Sequence, residues 1–367
     1  MSNHKVRFGI LGAANIARKN WKAIRDSGNA QVVAVASRDL ARGQRFITEC
    51  QREAPMEKQP RALDSYEALL ALDEIDAVYL PLPTALRKEW VLKAAARGKH
   101  VICEKPCATT VADLEEMLEA CRQNRVQFMD GVMFMHSRRL SDMKRVLEDG
   151  QSVGPLKRIT SAFSFSSSPE FFSTNIRTNS LLEPLGCLGD LGWYCIRLTL
   201  WAMDWQMPRQ VIGRAQAQIT RTDAPAAVPT DFSGELLFGD GVSAGFYCSF
   251  ITENQQWAIL SGPRGYLHAR DFVLPFNGQE IGFAVEKTVF QPTGCDFRME
   301  AHEKGFRVPE WSHGHSSSQE ANLFRNFSNQ VRSGSLNPVW PEMALKTQKV
   351  TSACLESAKQ DGRAVEV

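Results

Sequence analysis

The chain has 367 residues, 43% of them hydrophobic and 23% charged, enough for a large core and, at about 150 residues per domain, for roughly two domains. With 43 Lys and Arg against 41 Asp and Glu the formal charge is +2, which excludes a global field drawing the chain to nucleic acid or to an anionic membrane. No apolar run approaches the about 20 residues that span a bilayer, so the expected partner is a small molecule, with no nucleic acid and no membrane. The apolar stretch Phe8 to Ala14 follows Lys5 and Arg7 but runs into Asn15, Arg18 and Lys19, and reads as a first strand and turn rather than a targeting segment. Nine cysteines without a CxxC pair predict free thiols in a reducing compartment and hence a cytoplasmic protein.

Residues 1–131 alternate apolar strand-like runs with helix-periodic segments, the rhythm of a parallel sheet covered on both faces. The expected strands are Val6 to Leu11, Gln31 to Ser37, Ala77 to Pro81, His100 to Glu104 and Val126 to Gly131. Asp64 with Glu67 and Thr110 with Asp113 have the spacing of helix-starting capping boxes, and Gly98 suits a helix end.

Between the first strand and the first helix lies Gly9-Ile-Leu-Gly12-Ala13-Ala14-Asn15-Ile16-Ala17, where a tight turn aims free backbone N–H groups at a dinucleotide pyrophosphate. Ala14 stands where the usual fingerprint has its second glycine. The second strand ends at Ser37-Arg38, the position at which an NAD site carries an acid for the ribose 2′-hydroxyl. A hydroxyl beside a guanidinium suits a 2′-phosphate instead, so NADP is the expected cofactor, with NAD the alternative should the adjacent Asp39 reach the ribose.

A later strand runs into Glu104-Lys105-Pro106, placing a charged pair at the carboxyl edge where open α/β sheets bind ligands. There Lys105 would bridge the nicotinamide ribose and a substrate oxygen and stabilise a developing alkoxide.

After about residue 150 the pattern changes to alternating strands: Leu156 to Phe165, Gln210 to Arg221, Asp231 to Phe238, Val242 to Ile251 and Gln256 to Ser261. Tight turns such as Gly239-Asp240-Gly241 predict antiparallel pairing. Helices are expected at Gly189 to Met203, Gln319 to Arg332 and Pro341 to Gln360, with a mobile polar loop at Ser312 to Ser318 and an exposed connection at Ala224 to Pro229. Asp190 and Tyr194, four residues apart on a helix, share a face. Moving a hydride off an alcohol carbon requires a group that takes the hydroxyl proton, and the Tyr194 phenol can do so if a nearby Lys105 ammonium lowers its pKa. Met133, Phe134, Met135 and His136 follow the last strand of the first region and offer a wall for a substrate pocket. His313 and His315 lack a carboxylate or thiol partner nearby, and no metal is expected.

Gly12 to Ala17, Glu104-Lys105-Pro106 and Gly189-Asp190-Leu-Gly-Trp-Tyr194 together resemble the glucose-fructose oxidoreductase, inositol dehydrogenase and MocA family. Tyr194, where many of that family carry histidine, makes the chain most similar to the dihydrodiol dehydrogenase and D-xylose dehydrogenase branch. The resemblance implies an α/β Rossmann domain with a parallel sheet at 1–131. An α+β domain with an open, mostly antiparallel sheet for substrate binding and dimerisation would follow at 132–367, its C-terminal helix packing back on the first. It also implies that Leu82, Pro83, Thr84, Glu104 and Lys105 line the cofactor, that Arg177 and Asp190 face the substrate, and that Thr84 and Arg87 stand where relatives carry Asn and His. The implied activity is hydride transfer between NADP and a sugar, polyol or cyclic diol in a homodimer. The alternatives are a nicotinamide-dependent glycosidase oxidising C3 transiently and a non-catalytic NADP sensor.

Overall fold

The computed structural model describes residues 4–367; residues 1–3, the start of the expected first domain, lie outside the described residues. Six strands form a parallel sheet in the spatial order Arg61–Leu63, Ala30–Ala36, Val6–Leu11, Ala77–Leu80, His100–Cys103 and Phe128–Asp130. The five inner and far-edge strands are almost wholly buried, which is why they read as continuous apolar runs rather than alternating ones. The sixth, Arg61–Leu63, is short and partly exposed, and nothing in its composition announces a strand. Sheet order reverses where Val6–Leu11 pairs with both Ala30–Ala36 and Ala77–Leu80. At that switch point the turns after Leu11 and Leu80 part and open a crevice.

A ten-stranded sheet occupies the rest of the chain. Its path runs Asp296–Val308, Ile281–Thr293, Gly265–Ala269, Ala258–Gly262, Arg158–Ser166, Ser243–Ser249, Val228–Leu237, Gln210–Ile219 and Val365–Glu366, with Ile251–Gln255 beside Arg158–Ser166. Pairing is antiparallel except at the centre, where Ser243–Ser249 runs parallel to Arg158–Ser166. The tight turn at Gly239–Gly241 fixes only the Val228–Leu237 side of that strand, and the other side is filled by a segment some eighty residues earlier. The long hairpin Ile281–Thr293 and Asp296–Val308 was not expected; its outer half is exposed on both faces and lacks the apolar alternation of a half-buried strand.

Between the sheets lies the helix Trp193–Ala202, nine of whose ten residues are buried. It is fixed by a buried ion pair from Arg197 to Asp130, at the end of the parallel sheet, and by Arg197 Nε donating to Thr347 Oγ1 at 2.7 Å. The helix Gln319–Ser333 packs onto the first sheet through Phe324, whose ring meets Phe8 edge-on at 5.6 Å. Arg325 Nε donates to the carbonyl of Ser27 at 3.0 Å.

Three local expectations shift. Ser65, not Asp64, caps the helix Tyr66–Leu70 by accepting from Ala68 N, whereas Thr110 caps the helix Val111–Gln123 as expected, its Oγ1 accepting from Asp113 N and donating to the Asp113 carboxylate. The loop Ser312 to Ser318 is tied down: both terminal serines are buried, and Ser318 caps the following helix. In the Ala224 to Pro229 connection only 225–227 are exposed, because the strand begins at Val228. Among the described residues no helix is long and apolar enough to cross a membrane.

Candidate active site

Gly12 has φ +110°, and a Cβ there would sit 3.2 Å from Leu82, so the turn after the first strand needs glycine. The helix it feeds, Asn15–Ser27, starts with no side-chain cap and no acid in its first turn. Its free N–H groups and positive dipole end are left for an anion. Ala14 lies in extended backbone at the N-cap, a conformation open to any residue, so the absent second glycine costs the turn nothing.

Next to this turn, Ser37 is buried and Arg38 exposed at the end of the second strand. Asp39 caps the next helix, its Oδ1 accepting from Arg42 N at 3.1 Å. Arg42 was not singled out in the sequence, yet its Nη2 donates to the Ala13 carbonyl at 3.1 Å and its side chain lines the cleft described below. Burial pushes the Tyr66 phenol up, while the charges of Arg38 and Arg42 pull it down.

At the ends of the next two strands the structure revises the expected cofactor contacts. Thr84 is 2% exposed and turned inward: its N and Oγ1 donate to the Glu183 carboxylate at 3.0 and 2.5 Å. It is part of the wall and not of the lining, because Glu183 supplies the buried acceptor its hydroxyl needs. Pro83 occupies the N-cap of the helix Thr84–Ala96. Buried Arg87 staples two turns together, its Nε donating to the Leu82 carbonyl at 2.7 Å and its Nη1 to the carbonyls of Glu104, at 2.8 Å, and Pro106. A histidine, with two ring nitrogens, could not serve three carbonyls.

The motif from Gly189 to Tyr194 forms a π-helical turn, Leu188–Gly192, leading into the helix Trp193–Ala202. A Cβ on Gly189 would lie 3.1 Å from Pro106 and 2.6 Å from Leu185; glycine lets this turn pass close beneath Glu104-Lys105-Pro106. Lys105 Nζ donates to Asp190 Oδ1 at 2.6 Å and to its backbone carbonyl, while Arg177 Nε meets Asp190 Oδ2 at 2.8 Å. Burial alone would raise the Asp190 carboxyl, but Arg177 and Lys105 together hold it well below the usual carboxylate range.

Lys105 Nζ also lies 4.7 Å from the centroid of the Tyr194 ring. The phenol is not lowered as expected. Burial pushes it well above its ordinary value, and the charges of Glu104 and Asp190 add to the rise while Arg177 opposes it. The ammonium faces the ring and is bound to Asp190, so it does not reach the phenol oxygen. That hydroxyl points at the weakly accepting thioether of Met133, 3.8 Å away. Phe134 is not a pocket wall: it is 1% exposed and packs behind Tyr194 and against Phe272.

A cleft of about 1250 Å3 joins these parts. It runs from Ala14, Asn15 and Ile16 past Leu82, Glu104 and Lys105 to Asp190, Tyr194 and Arg177, and is closed on the far side by Trp257, His268, Arg270 and Phe276. Free helix N–H groups, the Arg42 guanidinium at one end and an ammonium with a phenol at the other fit the donor set of a nicotinamide dinucleotide. Among the described residues no cluster of three or more His, Cys, Asp or Glu side chains could hold a metal.

A doubly wound parallel sheet with a phosphate turn at its switch point, opening on this cleft, defines an oxidoreductase of the nicotinamide-dependent Rossmann class. The model of an oxidoreductase family with an NAD-binding Rossmann fold matches residues 6–132, and that of the GFO/IDH/MocA C-terminal domain matches residues 140–268. The chain belongs to the GFO/IDH/MocA oxidoreductase family. It is 35% identical to dTDP-3,4-didehydro-2,6-dideoxy-alpha-D-glucose 3-reductase of Saccharopolyspora spinosa over 75% of this chain and 78% of that relative. It is 32% identical to D-xylose 1-dehydrogenase (NADP(+)) 2 of Haloferax volcanii over 78% of this chain and 84% of that one. A 3-ketoreductase from Actinomadura kijaniata, solved with NADP and TDP-benzene, shares the fold with a TM-score of 0.78 at 24% identity over 96% of this chain and 98% of its own.

Proposed function

We propose that the protein is an NADP-dependent oxidoreductase interconverting a sugar, polyol or cyclic diol with its carbonyl form. The observation that carries this is the convergence of Lys105, Asp190, Arg177 and Tyr194 at the end of the cleft away from the phosphate turn. NADP over NAD is supported by Ser37 and Arg38 at the end of the second strand and by Arg42 on the phosphate turn. Bound there, the nicotinamide supplies or accepts the hydride.

The side chains do the rest. An ammonium has three N–H donors, and Lys105 spends two on Asp190, leaving one for the substrate oxygen, where its charge offsets the negative charge that develops. Tyr194, kept protonated by its burial, holds the proton that oxygen needs on carbonyl reduction and regains it on alcohol oxidation. Asp190 fixes both cations and so sets where the oxygen can sit. The aromatic faces of Trp257 and Phe276, with the amides of Asn254, Gln255 and Gln256, suit a ligand with C–H faces and ringed hydroxyls.

The test is to offer the protein NADPH with a panel of keto-sugars and diones, and NADP with the matching aldoses, polyols and diols, following the reduced cofactor's near-ultraviolet absorbance. A change with at least one pair, lost in Tyr194→Phe, is expected; no change with any pair would sink the reading. Release of an aryl leaving group from glycosides without net cofactor change would move the protein to the glycosidase class.

The same reading makes the protein a cytoplasmic homodimer. Eight of its nine cysteines are buried free thiols, as a reducing compartment permits. The outer hairpin exposes Phe290, Phe297 and Met299 by 53%, 69% and 67%, a patch suited to cover by a second copy. Light scattering on the purified protein should give twice the chain mass.

A further inference from the structure

Glu104 is the one member of the strand-end motif whose charge the chemistry above does not use. Its carboxylate is 8% exposed, and its partners are neutral: Tyr79 donates to Oε1 at 2.5 Å and Asn20 Nδ2 to the same oxygen at 3.2 Å. Asn20 also donates to the Tyr79 hydroxyl at 2.5 Å, so the three side chains form a closed triangle behind the cleft. Tyr79 is fully buried, with its ring edge against Phe324 at 5.9 Å. A Cβ on Gly131 would sit 3.2 Å from the Glu104 carboxyl carbon, so glycine leaves room for the head group. Oε2 receives no hydrogen bond from the described residues, on a side chain that lines the cleft between the phosphate turn and Lys105. The neighbouring ammonium is bound to Asp190. Among the described residues no cation forms an ion pair with this carboxylate: Arg87 meets only the backbone carbonyl of Glu104, at 2.8 Å, so a positive charge arriving with a ligand in the cleft would find the carboxylate unpaired.

Resting on the nicotinamide reading of this cleft, we infer that Glu104, aimed by Tyr79 and Asn20, is the counter-charge for the oxidised nicotinamide ring, so that the site holds NADP+ in preference to NADPH. The reduced ring is neutral and gains nothing from the carboxylate. NADPH bound there would be the stronger hydride donor to a carbonyl carbon, because Glu104 would offset the positive charge left on the ring while Tyr194 would supply the proton to the carbonyl oxygen. The equilibrium between the bound complexes would shift toward alcohol and NADP+, with the overall equilibrium of the reaction unchanged. Tyr79 and Asn20 are positioning residues and act through Glu104.

The dissociation constants of NADP+ and NADPH, measured calorimetrically on the full-length protein without substrate, test this. In Glu104→Gln the ratio of NADP+ to NADPH dissociation constants should rise about tenfold, which is about 1.4 kcal/mol, with NADPH affinity nearly unchanged. Tyr79→Phe should raise the ratio in the same direction by a smaller factor, and Tyr79→Phe combined with Glu104→Gln should do no more than Glu104→Gln alone. Equal weakening of both cofactor forms would show a hydrogen bond to the carboxamide instead and overturn the inference, as would additive effects in the double variant. If Glu104→Gln does not fold, the Tyr79→Phe ratio decides alone, an unchanged value counting against the inference. Should the unaltered protein bind neither cofactor form, the nicotinamide reading itself falls.

Discussion

Lys105 Nζ and Asp190 Oδ1 lie 2.6 Å apart, and this contact ties the edge of the parallel sheet to the π-helical turn that leads into the second half of the molecule. Their side chains are 9% and 13% exposed, so the pair is strongly shielded from water. Removing one partner strands the other, a loss of about 3–5 kcal/mol for a fully buried pair and less here, because Arg177 still holds Asp190.

Lys105→Met should therefore lower both stability and turnover, and Lys105→Met combined with Asp190→Asn separates the two. The double variant no longer leaves the Asp190 carboxylate beside a missing ammonium, and the Arg177 it releases is 42% exposed and can turn to water, so its urea midpoint should recover part of the single variant's loss. Turnover should stay down by about two to three orders of magnitude, because the donor to the substrate oxygen is gone. Recovery of activity along with stability would show that Lys105 is only structural.

Tyr194→Phe keeps the ring that packs on Phe134 and Phe163 and removes the proton. The expected result is a fall in kcat of about two to four orders of magnitude with little change in cofactor affinity. Because burial raises the phenol, the unaltered protein should keep its carbonyl-reducing rate as pH rises from about 6 to about 9. Alcohol oxidation, which needs the deprotonated oxygen, should speed up over the same interval. A reducing rate that collapses near neutrality would mean another group supplies the proton.

Asp190 gives a pH signature in stability. Its folded-state pKa is depressed, Arg177 and Lys105 outweighing burial, so the stability it contributes is complete above the unfolded value of about 3.9 and is lost as pH falls through the lower folded value. Asp190→Asn should cost stability at neutral pH, and the gap to the unaltered protein should begin to close only below about pH 4. Urea titrations at neutral and acidic pH measure this; a gap that closes already between about pH 6 and pH 5 would contradict the assigned direction.

What could be read in advance follows from how far apart in the chain the interacting groups lie. The phosphate turn and Glu104-Lys105-Pro106 are each contiguous and sit at strand ends, so apolar runs on one side and a helix signal on the other located them. Tyr79 and Asn20 looked like an ordinary strand residue and an ordinary helix residue, because their partner Glu104 is 25 and 84 residues away. Arg87 was equally opaque: its worth lies in three carbonyls at two turns that only the folded sheet brings together. The expectation that Lys105 lowers Tyr194 failed for a related reason, since proximity says nothing of which acceptor an ammonium chooses, and Asp190 offers two.

Thr84 offers a check on the corrected cofactor contacts. Thr84→Val keeps the shape and removes the hydroxyl that donates to Glu183 Oε2, leaving that oxygen short of a donor in a nearly closed site. The expected loss is about 1–3 kcal/mol of stability, read from the urea midpoint, with NADP affinity unchanged within about twofold. A large fall in NADP affinity with stability intact would return Thr84 to the cofactor.

Cofactor choice rests on the other end of the cleft. Arg42 stands one turn into the helix Leu40–Glu53, held by its Nη2 on the Ala13 carbonyl, and Arg38 lies at the strand end before it. Asp39 between them caps the helix, its Oδ1 accepting from Arg42 N. A 2′-phosphate brings about two negative charges to this corner, and guanidiniums grip phosphate oxygens in pairs. NAD brings only a hydroxyl there. Replacing both arginines by alanine should thus weaken NADP by about ten- to a hundredfold while leaving NAD within about twofold, and raising salt should weaken NADP in the unaltered protein more than in the variant. Parallel losses for both dinucleotides would mean that the arginines hold the turn and not the phosphate.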